Sequence, residues 1–306
     1  MSALELAGTG IVDLRPHFFY FTLATTTDLI FGEPVRAQGE DVQESFATNF
    51  DYAYYVSAIR SWLADFHWLY KTRKFKNACA VVKQYASYFV SQALKDKQDN
   101  GEESISGSHA SILDLYEGLK DPEVLNRLRK EIAVVLQDGE EITRAHIRNI
   151  KYLKCVILET QRLCPQLPVN VRVATKTTLL PTGGGPDRTA PVLIRKGTGV
   201  GYSVYHMHRL ASIYGADANK FVPERWENTD LEEKVDWGFM PFHGGPRICL
   251  GKDFALMEAS YGIVKIVQTF PELQLSPDIE IVEPGQERQN LMIVVSSAEG
   301  CKVILR

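Results

Sequence analysis

The stretch Pro241-Phe242-His243-Gly244-Gly245-Pro246-Arg247-Ile248-Cys249-Leu250-Gly251 places one cysteine in a turn rich in glycine and proline, directly before an apolar helical pattern. We expect a tight, rigid loop, because proline fixes a backbone angle and glycine lets the backbone approach a flat group closely. Cys249 lies just before the amino end of the predicted helix, where backbone N–H groups and the helix dipole favour a thiolate. Arg247 adds positive charge two residues away and is suited to hold a carboxylate.

Cys249 is open to two interpretations. Most lone cysteines are buried small side chains without chemistry. A thiolate held beside an aromatic ring and an arginine is instead the protein half of a thiolate-ligated haem site. The spacing F-x-x-G-x-R-x-C-x-G favours the haem site, because five fixed positions arise by chance in about one of 10⁴ chains of this length. The fixed positions are Phe242, Gly245, Arg247, Cys249 and Gly251.

At these five positions the sequence resembles the cytochrome P450 family, whose haem-binding loop carries the same pattern. The resemblance implies that Cys249 is the axial ligand of the haem iron and that the cofactor is haem b (iron protoporphyrin IX). It implies that Arg247 meets a haem propionate and that the other three pattern positions also belong to the cofactor-binding loop. Arg172, in the alternating and strand-like stretch 169–174, is expected by the same resemblance to reach a propionate.

A second motif lies in a predicted helix that stops at Pro165. Glu159 and Arg162 are three residues apart, so they share a helix face and can pair. Such a pair alone is usually an exposed ion pair of small energy. Its interval to the cysteine loop matches the family that the sequence resembles, and there a second arginine joins the pair; Arg225 is the candidate. We expect a structural cluster whose members satisfy one another, because an unpaired buried charge costs several kcal/mol.

Composition excludes several classes of protein. The 306 residues carry 34 basic and 38 acidic side chains, a net charge of −4 that gives no reason to expect a nucleic-acid partner. Five cysteines without paired spacing favour free thiols in a reducing compartment. The longest apolar runs are too short for a transmembrane helix, and the first ten residues lack the pattern of a signal peptide.

Three apolar helical patterns open the chain, over 13–35, 41–66 and around 78–89. An aromatic cluster connects the last two and is either a core corner or a substrate-channel or membrane-interface surface. Its members are Trp62, Phe66, Trp68 and Tyr70. The residues Asp121-Pro122-Glu123 predict a further helix start, and short strands are predicted near 191–194, 272–275, 291–295 and 302–305.

His206 and His208 are two residues apart. A metal site would need a third ligand at suitable spacing, and none lies near in the sequence. A role at the surface or in the core is therefore favoured for both side chains.

The central helix of the resembled family, with its acid–threonine step for proton delivery, has no counterpart pattern. It belongs between residues 95 and 120, where 95–108 is polar, rich in glycine and serine, and predicted to be flexible. The N-terminal anchor, first sheet and W-x-x-x-R helix of the family are not found either, and no catalytic residue is assigned. We expect one incomplete domain over 1–306, mainly α with small β-sheets (α+β). Residues 1–94 form substrate-side helices, 95–112 a flexible junction in place of the central helix, and 113–306 the haem-proximal half.

The resemblance implies a monooxygenase that inserts one oxygen atom from O₂ into an aliphatic C–H bond. Segments 182–187 and 208–226 are similar to the fungal branch that hydroxylates long-chain alkanes and fatty acids. The implied partners are O₂, a hydrophobic substrate and an NADPH-dependent flavoprotein reductase. The implied location is the cytosolic face of the endoplasmic reticulum membrane, or the cytoplasm if this shortened chain is the true product. Two alternatives stay open, namely a catalytically impaired haem-binding or inert fragment and a helical interaction protein without haem.

Overall fold

Helices with small antiparallel sheets form the fold, as the sequence predicts. The computed structural model describes residues 10–31, 40–96, 112–137, 140–227, 230–284, 286–291 and 294–305. Most of the predicted flexible junction, residues 97–111, lies outside the described residues. The helices are α1 (Leu14–Phe31), α2 (Glu40–Trp62), α3 (Arg73–Asp96), α4 (Ile112–Lys120), α5 (Pro122–Val135), α6 (Arg144–Asn149), α7 (Lys151–Leu163), α8 (Val204–Met207), α9 (Ala211–Tyr214), α10 (Asp230–Val235) and α11 (Lys252–Thr269). The strands are β1 (Ile11–Asp13), β2 (Val169–Val173), β3 (Thr178–Gly184), β4 (Ala190–Ile194), β5 (Gly199–Ser203), β6 (Gln274–Leu275), β7 (Gln289–Leu291), β8 (Val295–Ser297) and β9 (Lys302–Ile304).

The main core surrounds α7, whose residues are buried along nearly the whole helix. Helix α5 packs beside it and begins where the sequence predicts, because the Asp121 carboxylate accepts from the Glu123 N–H at 2.9 Å. Its buried face repeats at helical spacing through Leu125, Leu128 and Ile132. Helix α11 closes the other side of this core with Val264, which is fully buried.

A three-stranded antiparallel sheet joins distant parts of the chain in the order β1-β9-β6. Ile304 lies in the middle strand, opposite Ile11 on one side and Gln274 on the other. The Leu14 N–H also donates to the Cys301 carbonyl at 2.9 Å. Helix α1 is thereby anchored against the core that α11 closes.

The first three helices form a smaller unit against this core. Phe21 of α1 stacks on Tyr261 of α11 with ring centroids 6.3 Å apart. Helices α2 and α3 pack as a pair, with Phe46 and Tyr85 at 4.2 Å between ring centroids. These aromatic contacts attach the pair to the rest of the molecule through α1, which contacts α3.

Two local predictions are wrong. The second helical pattern ends at Trp62 and continues as a 3-10 turn over Ala64–Leu69, in which Phe66 and Trp68 are each 63% exposed. The core-corner interpretation of the aromatic cluster therefore fails, since an apolar corner would bury these rings. The strand predicted over 291–295 is also wrong, because Leu291 pairs with Val295 across two separate strands, β7 and β8.

Candidate functional site

The cysteine loop, residues 239–251, folds back on itself through its own backbone. The Cys249 N–H donates to the Phe242 carbonyl at 3.0 Å, and the His243 N–H donates to the Met240 carbonyl at 3.1 Å. Gly245 begins a 3-10 turn with φ of +65°, a conformation that glycine adopts without strain. A Cβ atom at Gly244 would meet the Trp237 ring at 2.6 Å, so a larger residue at that position would have to displace this ring.

Cys249 lies half-buried where the loop runs into α11. The N-cap residue of that helix is Gly251, which has no side chain to cap the amino end. The amino end of the helix, which is the positive end of its dipole, therefore begins three residues after Cys249. Ile248 and Leu250 flank the cysteine and are 44% and 87% exposed, so two large apolar side chains face outward around the sulfur.

The β2–β5 ladder is attached to the cysteine loop through His243. The Asn170 amide lies 2.9 Å from His243 Nε2, and the Tyr202 hydroxyl lies 3.3 Å from Nδ1. Arg172 donates to the Asn170 side-chain oxygen at 3.1 Å, and together with partial burial its charge lowers the pKa of His243. Arg172 is thus drawn to the side of the loop, whereas Arg247 projects from the loop itself and is exposed.

Glu159, Arg162, Arg225 and Trp226 form what we call the arginine cluster. Arg162 holds the Glu159 carboxylate with two bonds of 2.8 Å, from Nε and from Nη2. Arg225 Nε donates to the same carboxylate at 3.0 Å, and the Trp226 indole N–H donates at 2.8 Å. The Val222 N–H supplies a further bond at 2.9 Å. Both Glu159 and Arg162 are fully buried, and the carboxylate is surrounded by donors.

The remaining donors of Arg162 tie α7 to the segment that precedes Arg225. Its Nη1 donates to the carbonyls of His208, at 2.8 Å, and Ala218, and its Nη2 donates to that of Lys220 at 3.0 Å. One buried guanidinium therefore fixes the course of the chain between α8 and the 3-10 turn at Pro223–Trp226.

A second buried group, the lysine cluster, contains Glu117, Lys120, Cys164 and Glu287. Lys120 Nζ lies 2.9 Å from Glu117 Oε1 and also contacts the Glu287 carboxylate. Cys164 Sγ lies 3.9 Å from Glu117 Oε1. The other Glu117 oxygen has no hydrogen-bond partner among the described residues. Burial raises the pKa of Glu117 to about 7, and the nearby Glu287 charge adds to that effect.

Sequence reasoning missed several of these residues. Asn170 and His243 could have been predicted from the sequence. Asn170 lies two residues before Arg172 and shares a strand face with it, and His243 lies within the cysteine pattern. Trp226 follows directly after Arg225 and was also within reach. Glu287 was not, because it meets Lys120 only through the tertiary fold, 167 positions along the chain.

A groove of about 1400 Å³ opens beside the cysteine loop, between α5, α7 and α11. Its floor is apolar and includes Leu256 and Phe242. Its cationic lining residues are Arg127, Lys130, Arg148, Lys151, Lys154 and Lys252. Three acidic residues also line it, namely Glu131, Glu227 and Asp253, against six cationic ones. The Glu131 carboxylate accepts from the Lys151 and Tyr152 N–H groups at 3.0 and 2.7 Å, and Glu227 pairs with Arg127. The groove therefore presents a predominantly positive rim.

Each helix in the described ranges is too short or too polar to cross a lipid bilayer.

Comparison with known proteins identifies relatives over most of the chain. The protein-family model described as Cytochrome P450 matches residues 107–298. A "Cytochrome P450" of Arthroderma benhamiae is 39% identical, covering 97% of this chain and 68% of that protein. "Cytochrome P450 52A6" of Candida tropicalis is 35% identical, covering 89% and 61%, and "Cytochrome P450 52A5" of Candida maltosa is 37% identical, covering 88% and 60%. The chain thus spans about three fifths to two thirds of the length of these relatives.

The relatives are also longer inside the matched region. The match to the Arthroderma protein runs over 344 positions, whereas 97% of this 306-residue chain is about 297 residues, so about 47 positions face no residue here. The same comparison with the Candida tropicalis protein gives 321 positions against about 272 residues, a difference of about 49. Within the matched regions, this chain therefore lacks counterparts for nearly fifty positions of these relatives.

Proposed function

Because the chain belongs to the cytochrome P450 family, we propose that it is a haem-thiolate monooxygenase chain in which Cys249 ligates the haem iron. The observation that carries the proposal is the position of this cysteine. Cys249 lies two residues before Gly251, the N-cap of α11, in a loop where Gly245 has a positive φ of +65°. A structural cysteine would be buried among apolar neighbours, as Cys301 is.

The residues around Cys249 fit a flat apolar group with carboxylate arms. Ile248 and Leu250 are exposed beside the sulfur, and such a ring would remove them from water. Arg247 and Arg172 supply the two positive charges that propionates need. Phe242, whose carbonyl accepts from the Cys249 N–H, lines the groove beside the loop, and the glycines at 245 and 251 keep the backbone free of side chains.

Haem b, when bound, supplies the chemistry of O₂ activation and C–H hydroxylation. The chain contributes Cys249 as the sulfur ligand of the iron. Arg172 and Arg247 orient the cofactor by its carboxylates. The arginine cluster holds the loop side of the core in place and takes no part in chemistry.

Hydroxylation of an aliphatic chain, a long-chain alkane or fatty acid, is the proposed reaction. It is supported by the likeness of segments 182–187 and 208–226 to the fungal branch of the family. A second candidate is a haem-binding chain with little turnover, and the internal shortfall of about 47 positions favours it. The family's proton-delivering threonine is expected on a central helix between residues 95 and 120, and no described residue is assigned that role.

The proposed redox partner is an NADPH-dependent flavoprotein reductase that docks on the positive groove. The groove borders Phe242 and His243, so a partner seated there is close to the cysteine loop. Opposite charges steer such encounters and make them sensitive to salt. Replacing Lys151 and Lys154 by Gln should slow reductase-dependent reduction several-fold at low salt and leave dithionite reduction unchanged.

A peripheral contact with the endoplasmic reticulum membrane is proposed for the 3-10 turn between α2 and α3. Trp62, Phe66 and Trp68 are each more than 60% exposed there, and Lys71 and Arg73 follow directly. Exposed indole rings beside cationic side chains suit a lipid headgroup region. Replacing Trp62 and Trp68 by Ser should abolish sedimentation with anionic vesicles without changing the unfolding midpoint.

The experiment that tests the haem assignment is a reduced carbon monoxide difference spectrum of the purified chain reconstituted with hemin. Wild type should give the thiolate-type band, and Cys249→Ser should lose it, while Cys301→Ser keeps it. A pyridine haemochromogen assay of the same sample identifies haem b. Equal spectra for wild type and Cys249→Ser would overturn the assignment, and absence of haem absorption from both samples would leave the helical interaction protein without haem.

Turnover of a long-chain fatty acid with reductase then separates the two haem-binding candidates. Hydroxylated product in an amount comparable to the NADPH consumed supports the monooxygenase. Haem binding with uncoupled NADPH oxidation and no hydroxylated product supports the impaired chain.

A further inference from the structure

His208 is a fully buried imidazole that ends the short helix α8. Its Nδ1 lies 3.1 Å from the Arg162 carbonyl, and its Nε2 accepts from the Met240 N–H at 2.8 Å. Arg162 returns a bond, since its Nη1 donates to the His208 carbonyl at 2.8 Å. The ring also stacks on Phe239, with centroids 5.2 Å apart and planes at 28°.

These contacts fix the tautomer of the ring. A backbone N–H can only donate, so Nε2 carries no hydrogen where it meets Met240. A carbonyl can only accept, so Nδ1 carries the hydrogen that it gives to Arg162. Burial lowers the pKa of His208 to about 4, and the charges of Arg162 and Arg209 act in the same direction. The neutral imidazole is therefore the form present at neutral pH.

Met240 and its neighbours link this ring to the cysteine. The Met240 N–H is held by His208, and the Met240 carbonyl accepts from the His243 N–H at 3.1 Å. Phe239, which stacks on the imidazole, also packs on Trp226 of the arginine cluster at 4.7 Å. The first residues of the loop, Phe239 and Met240, are thus held by His208 and by Trp226 of the arginine cluster.

We propose that His208 is a positioning residue that sets where the cysteine loop leaves the arginine cluster, through its two hydrogen bonds to Arg162 and Met240. A residue that only filled space would act through the stack on Phe239 and would need neither nitrogen. The proposal rests on the proposed function only for the statement that the loop holds haem. The orientation of the loop itself is a property of the chain alone.

The test compares His208→Phe, His208→Gln and the matched control His206→Phe. Phe keeps the size and the stack and removes both hydrogen bonds, whereas the Gln amide retains one donor and one acceptor. His206 lies two residues away, is exposed and meets the Ser203 hydroxyl. The readouts are amide hydrogen exchange of peptides covering 239–251 in the chain without haem, and the carbon monoxide spectrum after reconstitution.

His208→Phe should raise exchange in the 239–251 peptides by about tenfold relative to those of α5 and α11, because the Met240 N–H loses the acceptor that His208 Nε2 provides. His208→Gln should stay closer to wild type, and His206→Phe should match wild type. In the reconstituted samples the thiolate-type band should fall in His208→Phe and return in His208→Gln.

Loop exchange in His208→Phe equal to wild type would overturn the proposal. If His208→Phe raises exchange throughout the chain, His208→Gln decides: wild-type loop protection supports positioning, and exchange equal to that of His208→Phe overturns it. If neither wild type nor any variant binds haem, the proposed function is wrong. The exchange comparison would still report on His208.

Discussion

The arginine cluster and the lysine cluster begin from the same sequence spacing and reach opposite states. Glu159 and Arg162 are three residues apart on α7, and Glu117 and Lys120 are three residues apart on α4. Both carboxylates are buried to about 1% exposure or less. Glu159 accepts from four other residues of the fold, whereas one oxygen of Glu117 meets Lys120 and the other has no partner among the described residues.

The difference teaches that the spacing of a pair does not decide its energetics. Arg162 presents a planar fork that matches a carboxylate at two points, and backbone and indole donors complete the shell. Lys120 is a point charge shared between two carboxylates, and one oxygen of Glu117 is left without a donor among the described residues. The first site surrounds a carboxylate with donors, while burial at the second raises the pKa of Glu117 to about 7, so that this carboxyl is partly protonated near neutral pH.

The largest expected effect is at Glu159. Glu159→Gln removes the charge between two arginines and turns an amide N–H₂ toward donors, so it should lower the free energy of unfolding by about 3–5 kcal/mol. Urea unfolding followed by circular dichroism measures the change. Glu299→Gln, in an exposed pair with Arg288, is the control and should stay within about 0.5 kcal/mol. A loss below about 1 kcal/mol at Glu159 would erase the contrast between the clusters.

The next effect is a pH dependence at Glu117. Its folded pKa is about 7, above the ordinary value of 4.5, so the folded chain holds more protons than the unfolded chain between these limits. The stabilisation is complete below pH 4.5 and is lost as pH rises through about 7. Relative to wild type, Glu117→Gln should therefore gain up to about 3 kcal/mol of unfolding free energy between pH 4.5 and 7.5.

The measurement is urea unfolding of wild type and Glu117→Gln at half-unit pH steps. Glu272→Gln, which changes an exposed carboxylate, is the matched control. A difference curve that stays flat across the whole range would mean that Glu117 is ionised in the fold, and the two clusters would then be alike.

The arginine cluster could be predicted from the sequence, whereas the lysine cluster could not. Glu159 and Arg162 lie on one helical face, and Arg225 lies in a stretch whose likeness to a known family marks it as their partner. Lys120 meets Glu287 across 167 positions, through a fold that no local pattern encodes. Helical periodicity could find α4 and could not say which cation would face Glu117 in the core.

The aromatic turn after α2 shows a different limit of sequence reasoning. The sequence shows that Trp62, Phe66 and Trp68 are large apolar residues. The same pattern is expected for a buried corner between helices and for an exposed turn. Only the packing of α2 on α3, which turns this segment outward, separates the two. The cysteine loop, in contrast, could be predicted because its glycines and proline set the local backbone conformation, which depends little on distant packing.

The smallest effect is expected at the outer edge of the arginine cluster, where Asp217 meets Arg225 with 3.1 Å between Oδ2 and Nη2. The Asp217 side chain is 46% exposed, so water screens the pair and competes for the same atoms. Asp217→Asn keeps an acceptor of the same shape and should change the unfolding free energy by less than about 0.5 kcal/mol, both at low salt and in 1 M NaCl. Arg288→Lys, in a pair that is more exposed still, is the control and should give the same null result. A loss above about 2 kcal/mol at Asp217 would show that the buried network extends to the surface, and that a carboxylate's depth does not set the boundary between a strong and a weak ion pair in this fold.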